Sequence, residues 1–342
     1  MDRRLILAVA GSGKSSFMID RLNLSQRFLL VTYTENNVAN LKQKIIHKFG
    51  YEPNNITLLS YFQFLIRVCY RPFLKDVYQA KGICWDKPAD FTLKLKRNDI
   101  RFFMSQGGYL YHNRLSKLCK DKCLPDIRER LEYFYDCFMF DEVQDLGGHD
   151  FNFITALFPL NIDVLFVGDF YQHTFDTSSD GMANKTLYDG YDQYIKKWKN
   201  TKLSIDIHSL DRSYRCSPTI CRFVTEQLGI SMNSHRSDEV EITVIEEEKD
   251  AIRLYNDQNI VKLFLQESYK YNCYALNWGA SKGLDDFLNV CVVLNSTTLK
   301  AFKTGNLSEL SSVTRNKLYV ACTRAKGNVY FIPYNFVNRF KR

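Results

Sequence analysis

No apolar run in this chain reaches the roughly 20 residues needed to cross a bilayer, so no transmembrane helix is expected. Asp2-Arg-Arg4 leads straight into apolar Leu5-Ile-Leu7, so no signal peptide is expected. There is no internal repeat and no low-complexity segment. Zinc-like cysteine spacing is also missing. Cys119 and Cys123 form one close pair and Cys216 and Cys221 another, but neither has the complementary Cys/His pair of a four-ligand site. The ten cysteines are scattered, several in apolar contexts such as Cys137 and Cys291. They read as reduced, buried thiols in a cytoplasmic protein.

The chain does have enough length and apolar content for two domains, each with its own core: 342 residues, 45% hydrophobic and 25% charged. The net charge is +8, and its distribution is uneven. Between Leu65 and Tyr135 there are fifteen Lys/Arg against eight Asp/Glu, interleaved with aromatics such as Phe102, Phe103, Tyr109 and Tyr111. Cations among rings suit a single-stranded nucleic acid, whose phosphates meet charge and whose bases stack. On composition alone, a solvated helical insertion with its own small core explains the stretch equally well.

Short β-rich runs occur at Leu29–Tyr33, Cys137–Phe140 and Val164–Gly168, with a helix-like stretch at Asn37–Phe49. A second set lies at Glu241–Ile245, Val290–Leu294 and Val329–Ile332, separated by helix-like stretches at Ser217–Leu228 and Asp257–Tyr271. Strands alternating with helices predict an α/β fold with parallel sheets. The expected organisation is a first domain at 1–205, with a basic insertion at about 65–135, and a second at 206–342.

Two segments carry the chemistry. Leu5-Ile-Leu-Ala-Val-Ala-Gly-Ser-Gly-Lys-Ser15 reads as a buried strand entering a Gly-rich turn and then a helix. Backbone N–H groups in such a turn wrap phosphates, and the lysine points at them. Phe138-Met-Phe-Asp-Glu-Val-Gln-Asp145 is a second strand ending in two carboxylates, one suited to Mg²⁺ and one to the attacking water. In this order they predict an NTPase.

Further blocks follow in sequence: Thr32-Tyr-Thr-Glu-Asn36, Ser60-Tyr-Phe-Gln-Phe64, Gly168-Asp-Phe-Tyr-Gln172, Ser213-Tyr-Arg215, Ser281-Lys-Gly-Leu-Asp285 and Tyr319-Val-Ala-Cys-Thr-Arg-Ala-Lys326. The ordered series resembles the helicase motifs of superfamily 1, in the UvrD/Rep/PcrA-like branch, over nearly the whole chain. The resemblance implies two RecA-like P-loop NTPase domains, with ATP and Mg²⁺ bound in the cleft between them. Ala8, Gly11, Ser12, Gly13, Lys14, Ser15 and Ser16 would hold the phosphates, and Ser15 with Asp141 the Mg²⁺. Glu142 would be the general base, Gln172 the γ-phosphate sensor, and Arg215 and Arg324 the arginine fingers. Tyr214 would stack on the base, with Gly283 and Asp285 nearby on the ribose side. Tyr33, Tyr61, Phe62, Phe64 and Phe175 match the DNA-contacting positions.

This chain departs from the branch in several places. The upstream glutamine that reads adenine is absent, so other NTPs are expected to serve beside ATP. Gly279 stands where the family has a histidine, and Thr177-Ser178 replace a tryptophan and an arginine. Only 66 residues separate Arg215 from Lys282, too few for the large accessory domain of the full-size enzymes. The resemblance extends to a compact bacterial subgroup whose members sit beside nucleases in phage-defence modules, the helicase-like subunit of Gabija among them. Two functions follow. One is an ATP-dependent translocase or helicase on single-stranded or partly duplex DNA, moving 3′ to 5′ by family polarity. The other is a nucleotide-gated DNA-binding subunit that signals to a nuclease or another protein partner and unwinds little.

Overall fold

The structure is a computed structural model that describes every residue except Arg97 and positions 175–179. The chain forms two compact units, each built on a parallel sheet. The first unit comprises Met1–Ile6, Ser15–Gly168 and Asp176–Asp206; the second comprises Leu7–Lys14, Asp169–Phe175 and Ile207–Arg342.

The strands of the first unit are β1 (Arg3–Leu7), β2 (Phe28–Thr32), β3 (Ile56–Ser60), β4 (Gly82–Cys84), β5 (Tyr109–Tyr111), β6 (Cys137–Asp141), β7 (Asp163–Gly168) and β8 (Ser204–Asp206). Six of them form one sheet in the order β3-β2-β6-β7-β1-β8. β2 and β6 are buried at every residue, which is why Phe-Leu-Leu-Val-Thr and Cys-Phe-Met-Phe-Asp read as continuous apolar runs rather than alternating ones. Because the strands are parallel, their C-terminal ends share one edge, the edge where ligands of open α/β sheets bind. The helix Glu35–Phe49 is fixed at both ends. Thr34 accepts a hydrogen bond from the Asn37 amide, and Gly50 closes the helix in the left-handed region.

Between β3 and β6 lies the basic stretch. It opens with a π-helical turn at Leu65–Tyr70, carries β4 and β5 as a two-stranded parallel pair, and ends in the helix Leu115–Phe134. That helix breaks its geometry at Cys123, two residues before Pro125, which lacks an N–H to donate. Several cations here serve the fold. Arg114 is fully buried, ion-paired with Asp180 at 2.7 Å, bonded to Thr92 Oγ1 and the Phe102 carbonyl, and 4.0 Å above the Phe102 ring. Arg128 donates to the carbonyls of Ala156, Leu157 and Phe158 at the end of the helix Gly148–Ala156. Exposed lysines and arginines remain along the rest of the stretch, among them Arg67, Arg71, Lys75 and Lys81.

The second unit contains β9 (Arg212–Ser213), β10 (Asn233–Ser234), β11 (Ile242–Val244), β12 (Val261–Phe264), β13 (Ala275–Asn277), β14 (Val290–Leu294) and β15 (Val329–Pro333). Its sheet runs β11-β15-β14-β12-β13, parallel throughout. Along β14, Val290, Val292 and Leu294 enter one core cluster and Cys291 and Val293 the other, the period of two that a strand imposes. The helix expected at 257–271 is corrected here. That segment holds β12, and the helix lies earlier, at Glu248–Asn256. A short apolar run fits a buried strand or a buried helix equally well, and the two covered faces of this sheet decide it. Lys262, buried within β12, donates its Nζ to the Asp257 carbonyl, and burial lowers its pKa.

The ten cysteines are free thiols. Among the described residues, no helix is long and apolar enough to cross a membrane.

Candidate nucleotide and nucleic-acid sites

In the second unit, the turn after β1 is shaped by two glycines in the left-handed region, Gly11 at φ 70° and Gly13 at φ 83°. Gly11 has a second constraint: a Cβ there would lie 2.7 Å from both Arg215 Cβ and Ser213 Oγ. The Gly11 carbonyl accepts from the Tyr214 amide at 2.8 Å, and Ser12 Oγ donates to the Val9 carbonyl at 2.8 Å. Ala8 and Lys14 are buried. The helix Lys14–Arg21 starts at the end of the turn, with exposed Ser16 in its first turn, so its free N–H groups and positive dipole end belong to the loop.

Tyr319 holds this loop. Its hydroxyl accepts from the Ala10 amide at 2.7 Å and donates to Asp169 Oδ2 at 2.9 Å. Burial, reinforced by the Asp169 charge, pushes the phenol pKa well up, so the group remains a neutral donor. Asp169 also accepts from the Tyr171 amide at 3.1 Å, capping the short turn that carries buried Gln172.

Arg215 and Arg324 come together around Asp285. Arg215 donates to the Thr323 carbonyl at 3.2 Å and to the Asp285 carboxylate; Arg324 donates to the Leu284 carbonyl at 3.2 Å and lies 3.5 Å from Asp285 Oδ1. Arg324 is fully buried, and its Nε has no hydrogen-bond partner among the described residues. Desolvation, and then the Arg215 charge, bring its pKa down to about 10. One exposed carboxylate therefore faces two guanidinium groups, so the cluster retains excess positive charge. Asp285 was expected beside a ribose; here it pairs with the arginines. Gly283, two residues before it, is in the left-handed region at φ 82°. Tyr214 is 64% exposed, with its ring stacked on His235 at 4.0 Å and 15°.

In the first unit, Ser15 Oγ donates to Asp141 Oδ2 at 3.4 Å. A hydroxyl and a carboxylate are the hard oxygen donors Mg²⁺ takes, and a phosphate-bound Mg²⁺ needs few protein ligands. No group of three or more His, Cys, Asp or Glu that could hold a metal occurs among the described residues. Glu142 follows β6 in the left-handed region, at φ 61° and ψ 44°. For a non-glycine residue this is a strained conformation, of a kind that clusters at functional positions. Its carboxylate accepts from the Gln144 side-chain Nε2, and its backbone N–H donates to Asp141 Oδ1 at 3.0 Å.

The DNA-contacting set divides. Tyr33 is half-buried and stacks on Tyr61 at 5.6 Å. Tyr61 and Phe64 require correction: Tyr61 is buried against Phe140, and Phe64 is fully buried between Phe138 and Phe153, so neither offers a face to a base. Both follow Ser60, which caps the short helix Tyr61–Phe64, and that helix directs positions 61 and 64 inward. Phe62 is half-buried, 4.8 Å from Trp85. Phe175 lies outside the described residues. Sequence reasoning gave no role to Tyr319, Asp169, His235 or Trp85. Tyr319 and Asp169 lay within the quoted blocks, whereas nothing in the sequence marked His235.

The fold is that of helicases. The chain is similar to the arterivirus nonstructural protein 10 helicase solved in complex with DNA, at 12% identity and a TM-score of 0.52 over 96% of this chain and 60% of that one. A crystal structure of an arterivirus nonstructural protein 10 helicase matches at 12% identity and a TM-score of 0.51, over 99% of this chain and 62% of that one. This chain thus spans about three-fifths of those helicases' length. The two units are RecA-like α/β domains. No family model matches the chain, and no curated protein matches it.

Proposed function

We propose that this protein is an NTP-hydrolysing, superfamily 1 translocase or helicase acting on single-stranded or partly duplex DNA. One observation carries the reading: a phosphate loop runs into Ser15, whose hydroxyl bonds Asp141, and the next residue, Glu142, is held off the strand in a strained left-handed conformation. The loop amides and Lys14 bind the phosphates, and Ser15 and Asp141 hold Mg²⁺, which neutralises phosphate charge when bound. Glu142 accepts the proton of the attacking water. Gln172 orients the terminal phosphate, and the Arg215–Arg324 pair supplies charge to the transition state.

Glu142→Gln tests this. Nucleotide binding is expected to persist while turnover falls about a hundredfold or more. Undiminished turnover removes Glu142 from the role of base. Single-stranded DNA is expected to stimulate the wild-type ATPase and to bind with strong salt dependence. Binding that stays constant between roughly 50 and 200 mM salt contradicts phosphate contacts.

A second reading is favoured by one observation. Between Arg215 and Lys282 the described chain holds only the helix Pro218–Leu228, β10 to β13, the helix Glu248–Asn256 and short turns, all used by the second unit's own fold. Without an accessory domain, a nucleotide-gated DNA-binding subunit that serves a nuclease partner and unwinds little is the alternative. The UvrD-like affiliation rests on the ordered motifs, the 3′ to 5′ polarity on that of the family, and the link to antiviral defence on the association of the resembling subgroup with nucleases. A strand-displacement assay run beside the DNA-stimulated ATPase on one preparation separates the two readings.

A further inference from the structure

The chain has three tryptophans, and they are treated very differently. Trp198 and Trp278 are fully buried, whereas Trp85, in the basic stretch, is 63% exposed. A wet indole forgoes a large burial gain, so its environment needs a reason.

The ring is exposed, yet held. β4 and β5 pair with Cys84 opposite Tyr111, so the residues that follow, Trp85 and His112, leave the pair side by side. Their rings stack at 5.3 Å and 29°. His112 Nδ1 lies 3.3 Å from the Cys84 carbonyl, which anchors the imidazole beside the indole. From the other strand–helix junction, Phe62 approaches Trp85 at 4.8 Å and 43°. Two rings from distant parts of the chain, His112 and Phe62, thus support one aromatic that still faces solvent. Lys81 and Lys87 bracket it in sequence and are both exposed. The Lys87–Asp90 contact, at 3.5 Å between exposed side chains, is too weak to withhold that cation from a phosphate.

The geometry points to Trp85 as a stacking platform for a base of single-stranded nucleic acid, with Lys81 and Lys87 meeting the flanking phosphates. Phe62, matched to a base-contacting position, acts by supporting the indole. A preorganised ring in a stretch of exposed cations is the arrangement by which sequence-tolerant strand binding works. This inference rests on the nucleic-acid reading proposed above.

The test uses the full chain, titrated separately with oligo-dT and oligo-U of equal length. Intrinsic tryptophan fluorescence and the anisotropy of an end-labelled oligonucleotide are followed together. Because the other two indoles are buried, quenching reports on Trp85. Quenching that saturates along with the anisotropy is expected, with the oligo-dT and oligo-U arms separating DNA from RNA as its source. Trp85→Leu should weaken binding about tenfold, the equivalent of roughly 1.4 kcal/mol, and Trp85→Phe should restore most of it. Anisotropy that rises with no quenching, and equal affinity in the variants, overturns the role of Trp85 and leaves the DNA reading intact. If neither oligonucleotide changes the anisotropy, the DNA reading itself fails. Should Trp85→Leu not fold, quenching of the parent and the affinity of Trp85→Phe decide.

Discussion

Tyr214 shows how much one side chain can set. Its ring rests on His235 at 4.0 Å and is otherwise largely exposed, and its amide is tied to the Gly11 carbonyl of the phosphate loop. A π-face contact distinguishes purines poorly, because a base change alters stacking far less than an unmade hydrogen bond would. GTP should therefore be hydrolysed within about tenfold of ATP in kcat/KM, a gap of roughly 1.4 kcal/mol. A preference for ATP beyond about a hundredfold, measured across the four NTPs, would mean that a hydrogen-bonding reader of adenine exists. At this scale the sequence was unevenly legible. Lys14, Ser15, Asp141 and Glu142 stand out because phosphate and metal chemistry demands fixed types at fixed spacing. Phe64 misled, since a ring at a contact position and a ring in a core are the same residue type, and only packing against Phe138 and Phe153 separates them.

Elements carry the second lesson. The basic stretch reads as one electrostatic surface in sequence, but its cations divide between solvent and fold. Arg114 is the clearest case, joined to Asp180 with His149 3.1 Å away on the same carboxylate. Burial raises the Asp180 pKa, but the hydrogen bonds from His149 and Arg114 outweigh that, and the carboxyl titrates below its ordinary value. A depressed carboxylate stabilises the fold above the unfolded pKa of about 3.9, and that contribution is lost as pH falls through the lower folded value. Asp180→Asn should cost about 3 kcal/mol at neutral pH in chemical denaturation, because it leaves Arg114 buried without its counter-charge. The difference from the parent should shrink on acidification. An equal cost at pH 3 and pH 7 would show that the charge is not responsible. Strand–helix alternation made most elements visible in the sequence, since parallel sheets impose apolar runs. It failed at β12, where a strand and a helix compete for the same short run.

At the scale of the molecule, the second unit is assembled from three separated stretches of chain. Val9 and Ala10 belong to its core cluster, alongside Ile220, Val292 and Tyr319. A fragment of residues 207–342 lacks them, and its Tyr319 hydroxyl loses both the Ala10 amide and Asp169. That fragment should unfold at lower urea than the corresponding transition of the full chain and bind a dye for exposed apolar surface. A cooperative transition at the full-chain midpoint would show that the short stretches contribute nothing to stability. Two domains were foreseeable from length and alternation. The recruitment of residues 7–14 was not, because no local signal encodes a hydrogen bond between residues 309 apart.

That same bond sets an order of events at the ribosome. Ala10 emerges 309 residues before Tyr319, the side chain that satisfies its amide. At about 5–20 residues per second, the phosphate loop waits many seconds for its partner while the first sheet has long been complete. Until Tyr319 arrives, the Ala10 amide lacks the hydroxyl that satisfies it, so the turn is latched only well after the first sheet's last strand has been made.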